Sequence, residues 1–229
     1  MRVMKRLPLC VALLSFALTA STYAQSEPNC LRPSNELLVQ VIRDGDLGKA
    51  SAMVKSGAKL NIQDQCGAIP LHEAIRWNYT DFALELLSAG ADPKFPDGGA
   101  EALIGTAFMC NPKVASELLK GGVPVNATKW DGETALMEAP SQRCKDGAMV
   151  QLLLDAGANP NARTKTGFNP LLAAAMTGDA IGAEKLLKAG ADPKAKDNRG
   201  HTAEDEACYR GEQGHFRVCQ LIREASRKQ

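Results

Sequence analysis

Ile69-Pro70-Leu71-His72-Glu73-Ala74, and after it Leu86-Leu87-Ser88-Ala89-Gly90-Ala91-Asp92, form the stretch on which the fold turns. Both halves come back. Thr134-Ala135-Leu136-Met137-Glu138-Ala139 and Asn169-Pro170-Leu171-Leu172-Ala173-Ala174 vary the opening, while Leu153-Leu154-Asp155-Ala156-Gly157-Ala158-Asn159 and Leu186-Leu187-Lys188-Ala189-Gly190-Ala191-Asp192 repeat the close. The glycine behind each Leu-rich segment stands at Gly57, Gly90, Gly122, Gly157 and Gly190, in steps of 33, 32, 35 and 33 residues. A glycine at that place ends a helix, because it takes positive φ without a Cβ penalty. Asp/Asn/Gly clusters such as Asp64-Gln65-Cys66-Gly67 and Asp197-Asn198-Arg199-Gly200 then turn the chain into the next unit.

A period near 33, with these openings and closes, resembles the TPLHxA and LLLxxGAD segments of the ankyrin-repeat family. The resemblance implies an all-α solenoid of about six helix-turn-helix units joined by short β-hairpin turns. Each unit pairs two short antiparallel helices whose Ala and Leu positions face inward, and stacking supplies the core that one unit lacks. The repeat domain is read as 34–229, with a degenerate first unit over about 34–60 and a divergent last one over about 202–227. The unit from Thr134 departs from the pattern, with Pro140 inside its expected first helix and two extra residues before Gly157. A longer, distorted turn is expected there.

Residues 1–24 differ from the rest. Arg2, Lys5 and Arg6 precede an apolar run from Leu7 to Ala20, the layout of a signal peptide, with the small-residue cleavage rule met after Ala24 and Ala20 as the alternative. The run is shorter than the roughly 20 residues of a membrane span, so no stable membrane insertion is expected after cleavage. Residues 25–33 form a short segment before the repeats. Such a leader fits bacterial or eukaryotic export, and the small size without a glycosylation-rich stalk favours the exported, bacterial type of ankyrin protein, in the periplasm or secreted. Of 27 basic and 26 acidic residues, the leader removes three bases and no acid, which leaves a slightly acidic chain and argues against nucleic acid.

Beyond Cys10 the chain holds Cys30, Cys66, Cys110, Cys144, Cys208 and Cys219. Disulfides are the default in an oxidising compartment, and six cysteines allow fifteen connectivities. Placing them on the repeat favours Cys208 with Cys219 across the last helical hairpin, Cys30 with Cys66 between adjacent tips, and Cys110 with Cys144 between successive inter-helix turns. The last pair needs the longer turn around Cys144 to lean over, since packed helices lie about 8–10 Å apart.

No GxSxG elbow, HExxH motif or phosphate-binding glycine loop occurs, so no enzyme and no cofactor is read from the sequence. His72 is a structural residue of the opening motif. His201 and His215 lie near Cys208 and Cys219, but their irregular spacing leaves no metal site. Ankyrin-like arrays bind through hairpin tips and the exposed side of the first helices, so the resemblance implies a protein partner gripped by a chain that is monomeric alone. The residues assigned to that surface are Arg76, Trp77, Phe95, Phe108, Met109, Trp130, Phe168, Met176, Tyr209 and Arg210. The function expected is an interaction module that scaffolds or protects an envelope partner. The alternative is an immunity protein that neutralises a toxin acting in the periplasm.

Overall fold

A computed structural model describes residues 37–64, 67–141, 143–144, 146–210 and 213–228. The expected leader over 1–24, residues 25–36 and the expected Cys30–Cys66 pairing lie outside the described residues. The described residues form six helix pairs. These are α1 (Leu37–Arg43) with α2 (Leu47–Lys55), α3 (Pro70–Arg76) with α4 (Thr80–Ser88), and α5 (Ala100–Phe108) with α6 (Pro112–Lys120). Then follow α7 (Ala135–Glu138) with α8 (Ala148–Asp155), α9 (Pro170–Thr177) with α10 (Ala180–Lys188), and α11 (Ala203–Arg210) with α12 (Gln213–Lys228).

Local chemistry sets these bounds. Pro70, Pro112 and Pro170 open their helices, where a missing N–H costs nothing. Asp46, Asn111 and Asp179 cap the second helices by accepting from the backbone N–H of Lys49, Val114 and Gly182. The close of each of the first five units is a Schellman turn. In the second unit Ala91 N–H donates to the Leu86 carbonyl and Gly90 N–H to that of Leu87, with Gly90 at φ +96°; the same pair of bonds recurs at Val123, Ala158 and Ala191. The motif's first leucine, at 86, 118, 153 and 186, is fully buried. Its recurrence is therefore both a stop signal and a core signal.

First helices touch first helices and second touch second along the chain, so the units stack in two rows around one continuous core. Asparagines at the bases of the hairpins add a second stitch between units. Asn61, Asn126 and Asn161 accept from the N–H of Asp92, Asn159 and Asp192 at 2.7–2.8 Å, and Asn126 and Asn161 also donate to the carbonyls of Gly157 and Gly190. Lys94 holds the corresponding place in the second unit and makes no such bond among those described.

Two expectations about irregular places meet different outcomes. α7 is only four residues long, because Pro140 lacks an N–H and its ring would clash with the carbonyl of Leu136. The chain then runs through 139–147 before α8, the longer turn expected. By contrast, of the short β-hairpin turns expected between units, the one that would hold Phe95 and the Gly98-Gly99 pair does not form. Residues 93–99 are a compact run of turns, closed by Phe95 N–H on Asp92 O and Gly98 N–H on Lys94 O. Gly99, at φ +86°, sits so close to Pro93 O and Val123 that a Cβ would lie 2.6 Å from each.

Candidate functional site

The ten residues assigned to binding fall into two groups, one in the connections between units and one at the C-terminal ends of the first helices. Phe95, Trp130 and Phe168 belong to the connections between units, here called fingers. Arg76, Trp77, Phe108, Met109, Met176, Tyr209 and Arg210 occupy the last turns of α3, α5, α9 and α11 or the residue just beyond, next to the inter-helix turns. A first helix of seven to nine residues puts about 12 Å between the two groups.

Within the groups, exposure separates side chains that face solvent from those that pack. Trp130 is 83% exposed, Tyr209 89% and Trp77 43%. Phe168 is half-buried against the core beneath its own finger, and Met176 is half-buried with its carbonyl 3.1 Å from the His215 imidazole. Phe108 and Met109 lie half-buried under Arg143 of the 139–147 segment, whose guanidinium sits 4.7 Å from the Phe108 ring centre and 3.6 Å from the Met109 sulfur. Arg76 is exposed and 3.7 Å from Glu73 Oε1. The Arg210 side chain lies outside the described residues. Sequence reasoning passed over exposed Ile181 and Phe216, which belong to second helices and not to the family's binding positions.

The last three fingers are joined at their tips. Thr128 bridges Thr134 and Lys196 bridges Thr202, while Thr164 N–H donates to Phe168 O. Lys165 N–H then donates across units to Asp131 O at 2.8 Å, and Asn198 N–H to Thr166 O at 3.0 Å. The Asn198 amide donates to Lys165 O at 2.8 Å, and Arg163 donates to Lys196 O. This contact requires glycine at Gly167, φ +81°, where a Cβ would stand 2.8 Å from Asn198 Oδ1 and 2.9 Å from its backbone nitrogen. The Lys165 ammonium lies 5.3 Å from the Trp130 ring centre, within cation–π range.

Along the first helices a line of ion pairs crosses the early units. Arg43 reaches Asp64 and Glu73 at 3.3 Å, and His72 Nδ1 lies 3.6 Å from Glu101 Oε2, a contact that holds the Glu101 carboxyl below its ordinary value. His72 thus acts laterally between units, the structural role read from the motif. At the fourth unit Lys129 pairs with Glu133 at 2.9 Å, and Glu133 shares a hydrogen bond with Glu138 of α7. Burial above all, then the hydrogen bond and charge of Glu133, pushes the Glu138 carboxyl up to about 8. Burial also opposes the charge on Glu133, but the bond from Glu138 and the Lys129 charge outweigh it. A carboxyl that keeps its proton in the fold stabilises fully below the ordinary value of 4.5 and loses that contribution as pH rises toward about 8. Thermal melts from pH 4.5 to 8.5 should therefore show a decline in stability that Glu138→Gln flattens; equal slopes for both proteins contradict the assignment.

In the last unit Cys208 and Cys219 are bonded, with Cα atoms 5.2 Å apart, so their sulfurs hold each other and not a metal. Cys110 and Cys144 are bonded likewise, with Cα atoms 5.5 Å apart. Among the described residues no group of three or more His, Cys, Asp and Glu side chains is placed to hold a metal ion, and no helix is long and apolar enough to cross a membrane.

Comparison with known proteins matches residues 66–98 to the ankyrin repeat and 141–228 to three further copies, together more than half of the chain. The chain belongs to the ankyrin-repeat family. The solved ankyrin repeat domain from Acinetobacter baumannii AYE is 25% identical, with a TM-score of 0.69 over 84% of this chain and 99% of that one. The ankyrin domain of Bcl-3, a member of the IkappaB protein family, gives 27% and 0.64 over 82% and 85%. An ankyrin repeat-containing protein of Treponema pallidum is 30% identical over 58% of this chain and 45% of its own length. The palmitoyltransferase ZDHHC13 of Danio rerio is 31% identical over 70% of this chain, which spans only 24% of that enzyme. As an ankyrin array, the chain is a protein–protein interaction module.

Proposed function

We propose that this ankyrin array is exported to the bacterial periplasm or beyond, where it grips a protein partner and scaffolds or protects it. The observation that carries the reading is the row of fingers fixed tip to tip beside an exposed Trp130, because a surface ordered before binding loses little entropy in the complex. Tryptophan is among the side chains enriched as interface anchors. Export is supported by the leader-like start of the sequence and by two cysteine pairs at bonding distance, since disulfides persist in oxidising compartments. The array brings no catalytic group of its own to the partner.

The test is a pull-down from envelope extract with the mature protein, run beside a folded Trp77→Ala/Trp130→Ala variant. Loss of one partner from the variant is expected. The same partners from both proteins, or none from either, would overturn the reading. A resident envelope protein as that partner makes the array a scaffold, whereas a toxic enzyme makes it an inhibitor.

A further inference from the structure

The geometry points to an acidic segment of the partner protein as the ligand of the last three fingers, with Trp130 packing on an apolar residue of that segment; this rests on the protein-binding reading above. The finger over 159–168 contains Arg163 and Lys165 and no acidic residue. The next finger adds exposed Lys194, Lys196 and Arg199. The acids of these fingers serve mainly to fold them. Asp131 Oδ1 accepts from Glu133 N–H, Asp192 Oδ1 from Lys194 N–H, and Asp197 Oδ1 from both Arg199 and His201 N–H, while Glu133 holds Lys129. These carboxylates are engaged by the backbone or by Lys129, while Lys165, Lys194, Lys196 and Arg199 stay exposed.

The platform is also rigid, because each tip is hydrogen-bonded to the next through Lys165, Thr166 and Asn198. Units stack about 8–10 Å apart, so three fingers span about 20 Å. An extended segment of about six residues covers that length. Discrete carboxylates on such a segment can meet Lys165, Lys196 and Arg199 while avoiding Asp131 and Asp197. A nucleic-acid backbone, with a charge every ~1.7 Å of duplex, cannot avoid them, and neither can a continuous anionic membrane surface. The alternation of sign along the tips therefore favours a protein partner. The Lys165 ammonium over the Trp130 ring keeps both at the edge of the platform, where the indole is free to take an apolar neighbour.

The probe is an eight-residue peptide of glutamates around a central leucine, titrated into the full chain carrying Trp77→Phe, which leaves Trp130 as the sole tryptophan. A saturable blue shift of the emission is expected, weakened at least tenfold by Lys165→Glu/Lys196→Glu and by 0.5 M salt. An unchanged spectrum overturns the inference. So does the same shift with a lysine peptide of equal length, or a shift at lower concentration with a twelve-nucleotide DNA or with anionic vesicles. Capture of the envelope partner separates the two claims. If Trp130→Ala abolishes capture and the charge-reversed protein retains it, the binding reading stands and the acidic ligand falls.

Discussion

Replacing Cys110 and Cys144 together by alanine is expected to lower the stability of the array by about 4 kcal/mol, from the chain entropy that a 34-residue closed loop removes from the unfolded state. Denaturation of the variant should also lose its single transition. The reason lies in the fourth unit, whose first helix has four residues where its neighbours have eight or nine. In a stacked array stability is a sum of unit and interface contributions, so the unit with the fewest internal contacts is where cooperativity breaks. The bond ties that unit's extended 139–147 segment to Cys110, which sits at φ +56° in the turn where other units place Gly45, Asn78 and Gly178. Urea melts followed by circular dichroism and by tryptophan fluorescence would coincide for the intact protein and separate for the variant. Coincident curves and an unchanged midpoint would show that the fourth unit holds without its bond.

Leu153→Ala should cost about 3–5 kcal/mol, the range for deleting a fully buried leucine whose surroundings cannot collapse. Leu153 is the core leucine of α8, and its carbonyl also accepts the Ala158 N–H that closes the unit. α8 buries Met149, Val150 and Leu153 beside a first helix of only four residues, so Leu153 has few neighbours within its own unit that could move in to fill its place. Equilibrium unfolding of this variant at neutral pH measures the loss. A cost below 1 kcal/mol, comparable to a surface substitution, would mean that the fourth unit is already frayed in the native protein.

The periodic glycine and its preceding leucines made the stacked architecture legible, because one short motif encodes both a helix stop and a core position. Pro140 and the 35-residue step likewise announced the irregular fourth unit. What the sequence did not disclose depends on contacts between units. Phe108 and Met109 look exposed until the 139–147 segment folds back and lays Arg143 over them. Phe168 looks like a tip residue, yet it is drawn under its finger by the Thr164 hydrogen bonds. The basic fingers escaped notice for a similar reason. Lys165 and Lys196 are about one repeat apart in the chain and become neighbours only once the hairpins are superposed by stacking. Trp130, Trp77 and Tyr209 were legible as outward-facing because none occupies a Leu, Ala or Gly position of the motif.

Hydrogen exchange of the array, free and bound to the partner recovered from envelope extract, tests the central claim most directly. The account predicts new protection concentrated in the finger backbones over 128–134, 163–168 and 196–202, with the outer helices α6, α8 and α10 unchanged. Protection confined to those outer helices, with the fingers exchanging as in the free protein, would contradict it.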